Sequence, residues 1–230
     1  METTQIDYSP VEEKIGYHFK EPKLLEQALT HKSFSNEYHI ETAEHYERLE
    51  FLGDAILEYI ASEELFHRYP ELPEGELTKK RASLVCEYTL SRISRELGYG
   101  EVVRLSKGER MTGGKERPSI LCDMFESVLG AIYMDGGMEP AKEYVQKHLF
   151  TDLEHKILFT DAKTILQEYA QKEGLTLDYP LLKTAGPDHA KVYTVAVKVG
   201  DTIYATAKAG SIKGAQMEAA HETLRMLDIS

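Results

Sequence analysis

Residues 47–55, which read ERLEFLGDA, restrict the fold and chemistry of the chain more than any other segment. At the 3.6-residue period of an α-helix, Glu47, Glu50 and Asp54 lie on one face, while the leucines between them lie on another and form a core face. Gly53 interrupts this helix at a cost of about 1 kcal/mol relative to alanine. We therefore predict that a second backbone packs closely against the helix at Gly53.

The neighbours of these acids argue against the usual interpretation of an acidic helix face, which is solvated surface. Residues 51–57 are apolar apart from Asp54, so the segment is too apolar to lie on the surface. Half-buried carboxylates that repel one another need protons or a cation to neutralise them. The segment therefore favours a cation site, provided that another segment supplies more carboxylates.

Residues 122–133 supply these carboxylates. Asp123 and Glu126 are again three residues apart, on one face of a mostly apolar predicted helix, and Gly130 and Ala131 are small enough to permit tight packing. Two buried helices of this kind can bring four carboxylates together. Such hard oxygen ligands suit Mg²⁺ or Mn²⁺ rather than zinc.

Both segments resemble the bacterial ribonuclease III family. Residues 47–55 match the family signature along their whole length, and residues 123–126 and 129–133 match its second catalytic helix. The resemblance implies an endoribonuclease, a hydrolase that cleaves double-stranded RNA with Mg²⁺, for which Mn²⁺ can substitute. It also implies 5′-phosphate and 3′-hydroxyl ends with short 3′ overhangs, a homodimer, and roles in processing ribosomal RNA precursors and structured mRNA or tRNA precursors.

The resemblance further implies a role for each acidic residue. Asp54 and Glu126 are expected to be the catalytic residues. The expected metal ligands are Glu50, Asp123 and Glu126. Glu47 ranks behind Glu50, because the corresponding residue of the family usually lies outside the innermost ligands of the metal.

The charge of the chain limits how it can bind RNA. It carries 27 basic and 39 acidic side chains, a formal net charge of −12. A protein that binds a polyanion through its overall charge has the opposite balance. Binding must therefore depend on local basic patches, metal ions and shape recognition.

The two cysteines, Cys86 and Cys122, lie far apart in the sequence, which is typical of reduced thiols in a cytoplasmic protein. Cys122 adjoins Asp123, but a thiolate would add charge to a site that is already too negative, so we do not expect it to bind the metal. The sequence has no apolar run long enough to span a membrane and no signal-peptide pattern at its start. We therefore expect a cytoplasmic protein without a membrane partner.

Residues 8–155 show no convincing strand alternation, which predicts an all-α endonuclease domain. Its predicted elements include helices at 41–69, 76–97 and 139–157 and a turn at 72–75. Residues 104–118 are predicted to be a loop whose glycines and basic side chains contact the phosphates of the substrate. A glycine-rich loop without that role is the alternative, and the basic group at 79–81 is either a solvated face or a further RNA contact.

After a short linker at 156–159, the pattern changes to that of a small α+β domain at 160–229. Its predicted elements, in the order α-β-β-β-α, include a helix at 161–171, strands at 192–199 and 202–207, and a helix at 213–227. This order resembles the double-stranded-RNA-binding domain. The resemblance implies RNA contacts from the first helix, from the loop at 186–189 and from the last helix, made by Thr164, Gln167, Glu168, His189 and Lys213.

The start of the last helix departs from this resemblance. Domains of this kind usually begin that helix with Ser-Lys-Lys, whereas here Ile212 takes the position of the first lysine. Residues 161–230 also contain eight basic side chains against nine acidic ones. We therefore predict that the second domain by itself binds duplex RNA weakly.

Two other functions are open on these residues alone. An RNA-binding protein that has lost catalysis would show its losses first at the ligand carboxylates, and all four are present. A metal-dependent nuclease that acts on DNA would have no need of the second domain.

Overall fold

The computed structural model describes residues 6–39, 44–187 and 191–229, and gives only the backbone at helical positions 154, 155, 157, 158 and 160. The chain forms two compact units, Met1–Asp152 and Leu153–Ser230. The first unit is helical, and the second combines a sheet with two helices. The predicted fold class, an all-α domain followed by a small α+β domain, is confirmed.

The described residues of the first unit form ten helices. These are α1 (Ser9–Ile15), α2 (Pro22–Ala28), α3 (Lys32–Tyr38), α4 (Glu47–Arg68), α5 (Glu74–Leu84), α6 (Glu87–Leu97), α7 (Tyr99–Val102), α8 (Lys107–Met111), α9 (Pro118–Gly136) and α10 (Met138–His148). Within these described residues, β-type pairing is limited to an isolated bridge between Thr30 and Arg104.

The helix α9 forms the centre of this unit and packs against α2, α4, α6 and α10. Pro118 lies in its first turn, where the missing N–H has no intrahelical partner to lose. Gly137, with a φ of +85°, follows its last residue and ends the helix. Many side chains of α9 are fully buried, among them Met124, Phe125 and Val128.

The helices α4 and α9 meet at two glycines. A Cβ atom on Gly53 would lie 1.8 Å from the carbonyl oxygen of Glu126, and one on Gly130 would lie 2.2 Å from the carbonyl oxygen of Leu49. Neither position has room for a side chain. The close backbone contact predicted at Gly53 is confirmed, and it brings the acidic segment of α4 against that of α9.

Several helices of this unit have other limits than those predicted. The single helix predicted at 76–97 is two helices, because the backbone of Cys86 is extended, with φ −83° and ψ 155°, and begins α6. The turn predicted at 72–75 ends early, since α5 begins at Glu74 directly after Pro73. The helix predicted at 41–69 begins at Glu47 as α4, and residues 40–43 lie outside the described residues.

The loop predicted at 104–118 contains regular structure. It includes α8 and a short 3-10 turn at Gly114–Glu116. Ser106 caps α8, because its hydroxyl oxygen accepts a hydrogen bond from the N–H of Glu109 at 3.1 Å. The guanidinium of Arg117 pairs with the carboxylate of Glu109, so part of the positive charge of this segment is already neutralised.

The second unit is an antiparallel sheet covered by helices. Its elements are α11 (Leu153–Lys172), β1 (Leu177–Asp178), β2 (Leu181–Ala185), β3 (Val192–Val199), β4 (Thr202–Ala209) and α12 (Ile212–Met226). β3 is the central strand and pairs with β1, β2 and β4. α12 packs on β3 and β4, and α11 packs on α12. The core of the unit consists of Ala162, Leu166, Ala170, Val197, Val199, Ala219, Ala220 and Leu224.

The long helix α11 corrects two predicted limits. Residues 156–159, which we predicted to be a linker, lie inside α11, and the helix predicted at 139–157 ends as α10 at His148. Asp152, whose φ of +54° is not helical, lies directly before α11 and separates it from α10. No glycine or proline occurs at 153–172, so nothing in the sequence stops one continuous helix there.

Replacing Gly53 by alanine is expected to destabilise the protein by about 1–3 kcal/mol, because the added methyl group would overlap the Glu126 carbonyl. Urea unfolding followed by circular dichroism measures this change. Gly75→Ala is the matched control, since Gly75 lies in the first turn of α5 and a Cβ atom there meets nothing within 4 Å. Its stability should stay equal or rise slightly. Equal stabilities of Gly53→Ala and the unsubstituted chain would contradict the close contact.

Candidate active site

Three of the predicted acidic residues meet where α4 and α9 cross. One carboxylate oxygen from each of Glu50, Asp123 and Glu126 lies within 4.8 Å of the other two. We call these three residues the acidic cluster. Glu50 lies about one helical turn before Gly53, and Glu126 lies one turn before Gly130. The contact at the two glycines therefore determines how closely the acids approach.

Asp54, predicted to be a catalytic residue, is not a member of the acidic cluster. Its side chain is exposed, one helical turn beyond Glu50 on α4. Its charge still reaches the cluster: after burial, it is the strongest cause of the raised pKa of Glu126, and it also contributes to the raised pKa of Glu50. The structure thus brings three of the four acids together and leaves the fourth beside them.

Glu47, the residue ranked behind Glu50, is not a member of the acidic cluster and pairs with Lys32. The Nζ atom of Lys32 donates a hydrogen bond to Oε1 of Glu47 at 3.0 Å, and this bond lowers the pKa of Glu47. The same bond raises the pKa of Lys32, with smaller contributions from the charges of Asp123 and Glu50. A lysine therefore lies near the cluster, a position that helical periodicity does not indicate.

Burial and mutual repulsion favour the protonated form of the acidic cluster. Burial, followed by the charge of Asp123, raises the pKa of Glu50 to about 7. Burial, followed by the charge of Asp54, raises the pKa of Glu126 to about 8. Burial also raises the pKa of Asp123, against the opposing effect of a hydrogen bond from Tyr46. Raised pKa values concentrated in one place are typical of functional sites.

Tyr46 is a second residue near the cluster that sequence reasoning missed. Its hydroxyl donates a hydrogen bond to Oδ2 of Asp123 at 3.0 Å. The only signal in the sequence is a tyrosine directly before an acidic helix, and helical periodicity does not indicate a contact with a residue 77 positions away.

Cys122 lies beside the cluster as a protonated thiol. Its Sγ atom donates a long hydrogen bond to Oε1 of Glu126 at 4.0 Å. Burial, followed by the charges of Glu126 and Asp123, raises the pKa of the thiol. A thiol that holds its proton in this way adds no negative charge to the cluster.

The donor set of the acidic cluster fits a hard divalent cation. It offers carboxylate oxygens, which suit Mg²⁺ or Mn²⁺ rather than zinc. The raised pKa values mean that three negative charges accumulate there only at an energetic cost, which a cation would remove. Among the side chains that the structure describes, no other group of three or more His, Cys, Asp or Glu residues is as closely gathered.

Comparison with known proteins identifies the family. Residues 21–153 match the family model described as Ribonuclease-III-like, and residues 162–227 match that of the double-stranded RNA binding motif. The chain belongs to the ribonuclease III family. It is 42% identical to the ribonuclease 3 of Limosilactobacillus fermentum over 218 residues, 92% of this chain and 93% of the relative. It is also 42% identical to the ribonuclease 3 of Bdellovibrio bacteriovorus over 221 residues, 94% of each protein.

A solved structure supports the same assignment. The nuclease domain of the ribonuclease III from Campylobacter jejuni is 40% identical and has a TM-score of 0.57, covering 63% of this chain and 100% of that domain. This member of the ribonuclease III family is a double-stranded-RNA endoribonuclease, as the sequence predicted. None of the helices in the described parts of the chain is both long and apolar enough to cross a membrane.

The second unit of this ribonuclease III family member exposes most of the residues predicted to contact RNA. Thr164, Gln167 and Glu168 are exposed on one face of α11. Lys213 is exposed in the first turn of α12. His189 lies outside the described residues.

Lys163 joins the two helices that carry these residues. Its Nζ atom donates a hydrogen bond to Oε1 of Gln216 at 2.7 Å and lies 4.8 Å from the centroid of the Tyr179 ring. Burial, followed by the charge of Lys213, lowers the pKa of Lys163. The segment of α11 around Thr164 therefore lies close to the start of α12.

Ile212 is the first residue of α12, and 43% of it is exposed. The preceding Ser211 caps the helix, since its hydroxyl oxygen accepts a hydrogen bond from the N–H of Gly214 at 3.0 Å. Ser211 therefore caps the start of α12, and an apolar side chain is exposed at the first position of this helix.

In EDTA, the stability of Glu126→Gln relative to the unsubstituted chain is expected to increase as the pH rises from 4.5 to about 8. Folding raises the pKa of Glu126 from the usual 4.5 to about 8. In this window the unfolded chain has released a proton that the folded chain still holds, so rising pH favours unfolding. Glutamine does not titrate, so Glu126→Gln does not have this loss of stability with rising pH.

Thermal unfolding across this pH range measures the effect. Glu143→Gln, which changes an exposed acid on α10, is the control and should follow the unsubstituted chain. Burial lowers the pKa of His31 and acts in the opposite sense, but His31 is present in all three proteins and cancels. A stability difference that stays constant with pH would contradict the raised pKa of Glu126.

Proposed function

We propose that this endoribonuclease hydrolyses double-stranded RNA with a divalent metal ion, Mg²⁺ with Mn²⁺ as a substitute, held by the acidic cluster. The observation that carries the proposal is the approach of the three carboxylate oxygens to within 4.8 Å. Without a cation, these acids would repel the phosphate of the substrate, because like charges would meet in a half-buried site. When bound, the ion supplies positive charge that attracts the phosphodiester and lowers the pKa of a water molecule.

The acidic residues of the chain divide the remaining work. Glu50, Asp123 and Glu126 hold the ion, and Glu126 also acts with Asp54 to orient the attacking water. The exposed position of Asp54 and its effect on the pKa of Glu126 support this role. Glu47 stays outside the ligands, since Lys32 holds it through an ion pair of 3.0 Å.

The proposed products follow from the bond that breaks. Water attacks phosphorus, and the bond between phosphorus and the 3′ oxygen opens. One product therefore keeps a 5′ phosphate, and the other leaves with a 3′ hydroxyl. Two such cuts on opposite strands, displaced along the duplex, leave the short 3′ overhangs that the family resemblance implies.

The second unit is proposed to bind duplex RNA by its shape. A-form RNA displays 2′-hydroxyls in a shallow minor groove, which proteins recognise with little reading of sequence. We assign these contacts to Thr164, Gln167, Glu168 and His189, and a phosphate contact to Lys213. The exposure of the three residues on α11 and of Lys213 supports the assignment.

We also propose that the enzyme is a homodimer. Phe51, Tyr59 and Phe66 form a stripe along α4, and Phe51 is 81% exposed. Large exposed apolar side chains in a row are typical of a protein interface. The related Campylobacter jejuni structure is described as having a region involved in dimer formation of its nuclease domain. Phe51 directly follows Glu50 on α4, and the family resemblance implies that such a homodimer places two acidic clusters across one RNA duplex.

The proposed biological role is the processing of ribosomal RNA precursors and of structured mRNA or tRNA precursors in the cytoplasm. An enzyme that recognises A-form duplexes acts on the paired stems of such transcripts. Both cysteines are free thiols, as is usual in a reducing compartment. Cleavage of DNA is the alternative, which the match of residues 162–227 to a double-stranded RNA binding motif disfavours.

Incubation of long duplex RNA with Mg²⁺ or with EDTA, beside a DNA duplex of the same sequence, tests the metal-dependent mechanism. Only the RNA with Mg²⁺ should be cut, to short products with 5′ phosphates. Glu126→Gln should lower the cleavage rate at least about 100-fold, because even the outer partners of metal ligands are worth 10–100-fold. Its binding to the duplex in EDTA should be unchanged.

The control for this experiment is again Glu143→Gln, which should cleave as fast as the unsubstituted enzyme. Cleavage in EDTA, or full turnover by Glu126→Gln, would overturn the metal-dependent mechanism. Cleavage of both duplexes would instead support the DNA alternative.

Ile212→Lys is expected to strengthen duplex RNA binding by the full chain and to steepen its salt dependence by about one phosphate contact. Ile212 is 43% exposed at the first residue of α12, next to Lys213. Ile203→Lys is the matched control, because it adds the same charge at a 56% exposed isoleucine on β4. Binding titrations at several salt concentrations compare the three proteins. Equal salt slopes for all three proteins would show that the start of α12 is not part of the RNA-binding surface.

A further inference from the structure

The backbone of Tyr46 fixes the start of α4. Its carbonyl oxygen accepts hydrogen bonds from the N–H groups of Leu49 and Glu50, both at 2.9 Å, and its own N–H donates to the carbonyl of Thr30 at 3.0 Å. The same residue therefore begins the helix that carries Glu50 and ties this helix to the segment before α3.

The side chain of Tyr46 is held as firmly as its backbone. The residue is only 4% exposed, and its ring stacks on the ring of His31, with centroids 5.5 Å apart and planes inclined by 10°. Burial and ring stacking therefore fix the position of the phenolic oxygen, independently of the hydrogen bond that this oxygen makes.

The phenolic oxygen contacts one member of the acidic cluster. It donates a hydrogen bond to Oδ2 of Asp123 at 3.0 Å. A carboxylate has about four lone-pair sites, so this bond restrains the rotation of the Asp123 carboxylate and leaves other sites for a second partner. One residue thus joins the start of α4, which carries Glu50, to the ligand residue Asp123 on α9.

We propose that Tyr46 is a positioning residue for the divalent cation: its hydroxyl holds the Asp123 carboxylate in the orientation that the ion requires. The inference rests on the proposed metal site. Hydrogen-bond partners of metal ligands typically contribute 10–100-fold to metal affinity, so a single hydroxyl is sufficient for a measurable effect.

A second tyrosine–aspartate pair on α9 offers an internal comparison. The hydroxyl of Tyr17 donates to Oδ2 of Asp135 at 2.6 Å, and the Asp135 carboxylate also accepts from the backbone N–H groups of Lys20 and Glu21. The Asp135 carboxylate therefore already accepts hydrogen bonds from protein donors, and it links α9 to residues 17–21. Asp123, in contrast, lies among other carboxylates.

Calorimetric titration of the full chain with MnCl₂, without RNA, tests the inference on Tyr46→Phe and Tyr17→Phe. Tyr46→Phe keeps the stacked ring and removes one oxygen, and we expect it to raise the dissociation constant for Mn²⁺ about tenfold. Tyr17→Phe should bind Mn²⁺ as the unsubstituted chain does, even if it is less stable.

Cleavage of duplex RNA over a range of Mg²⁺ concentrations gives a second measurement. For Tyr46→Phe, the Mg²⁺ concentration for half-maximal rate should rise about tenfold, while the rate at saturating Mg²⁺ stays near that of the unsubstituted enzyme. A merely structural role would lower the rate by the same factor at every Mg²⁺ concentration.

The outcomes distinguish a failure of the role of Tyr46 from a failure of the metal site itself. If the unsubstituted chain binds Mn²⁺ and Tyr46→Phe binds it equally well, Tyr46 does not position the ligand. A loss of activity that is independent of Mg²⁺ also overturns the role. If the unsubstituted chain itself binds no Mn²⁺, the proposed metal site fails, and the role of Tyr46 fails with it.

Discussion

The close contact between α4 and α9 is the constraint on which the rest of the active site depends. At Gly53 and Gly130, the backbone of each helix fills the space that a side chain of the other would need. Glu50 lies three residues before Gly53, and Glu126 lies four residues before Gly130. Because both helices are rigid over one turn, the separation of the two backbones at the glycines also sets the separation of the acids. A looser crossing would separate the carboxylates by the width of the inserted side chains.

This arrangement works against the stability of the fold in two ways. Each glycine inside a helix costs about 1 kcal/mol relative to alanine. The acids also meet in a half-buried place, where the pKa of Glu50 rises to about 7 and that of Glu126 to about 8. The apolar packing of α9 offsets these costs, since most of its residues are buried among the neighbouring helices. Such opposition between stability and function is common at active sites.

The sequence predicts the elements that follow from local periodicity and fails where tertiary contacts decide. Gly53 inside an apolar helix correctly indicated a close backbone, and the alternation at 192–199 correctly indicated a strand. The break at Cys86 has no glycine or proline to mark it. For Asp54, periodicity specifies the angle around the helix axis, but a further turn moves a residue about 5.4 Å along the axis, which is enough to leave the cluster.

The glycine contact also separates two kinds of evolutionary change. Replacing the acids would relieve repulsion and leave the crossing intact, whereas replacing Gly53 or Gly130 would force the helices apart. A descendant of this enzyme could therefore lose its chemistry and keep its architecture. In such a pseudoenzyme the two glycines would persist as the mark of the shared scaffold, while the carboxylates would be free to drift.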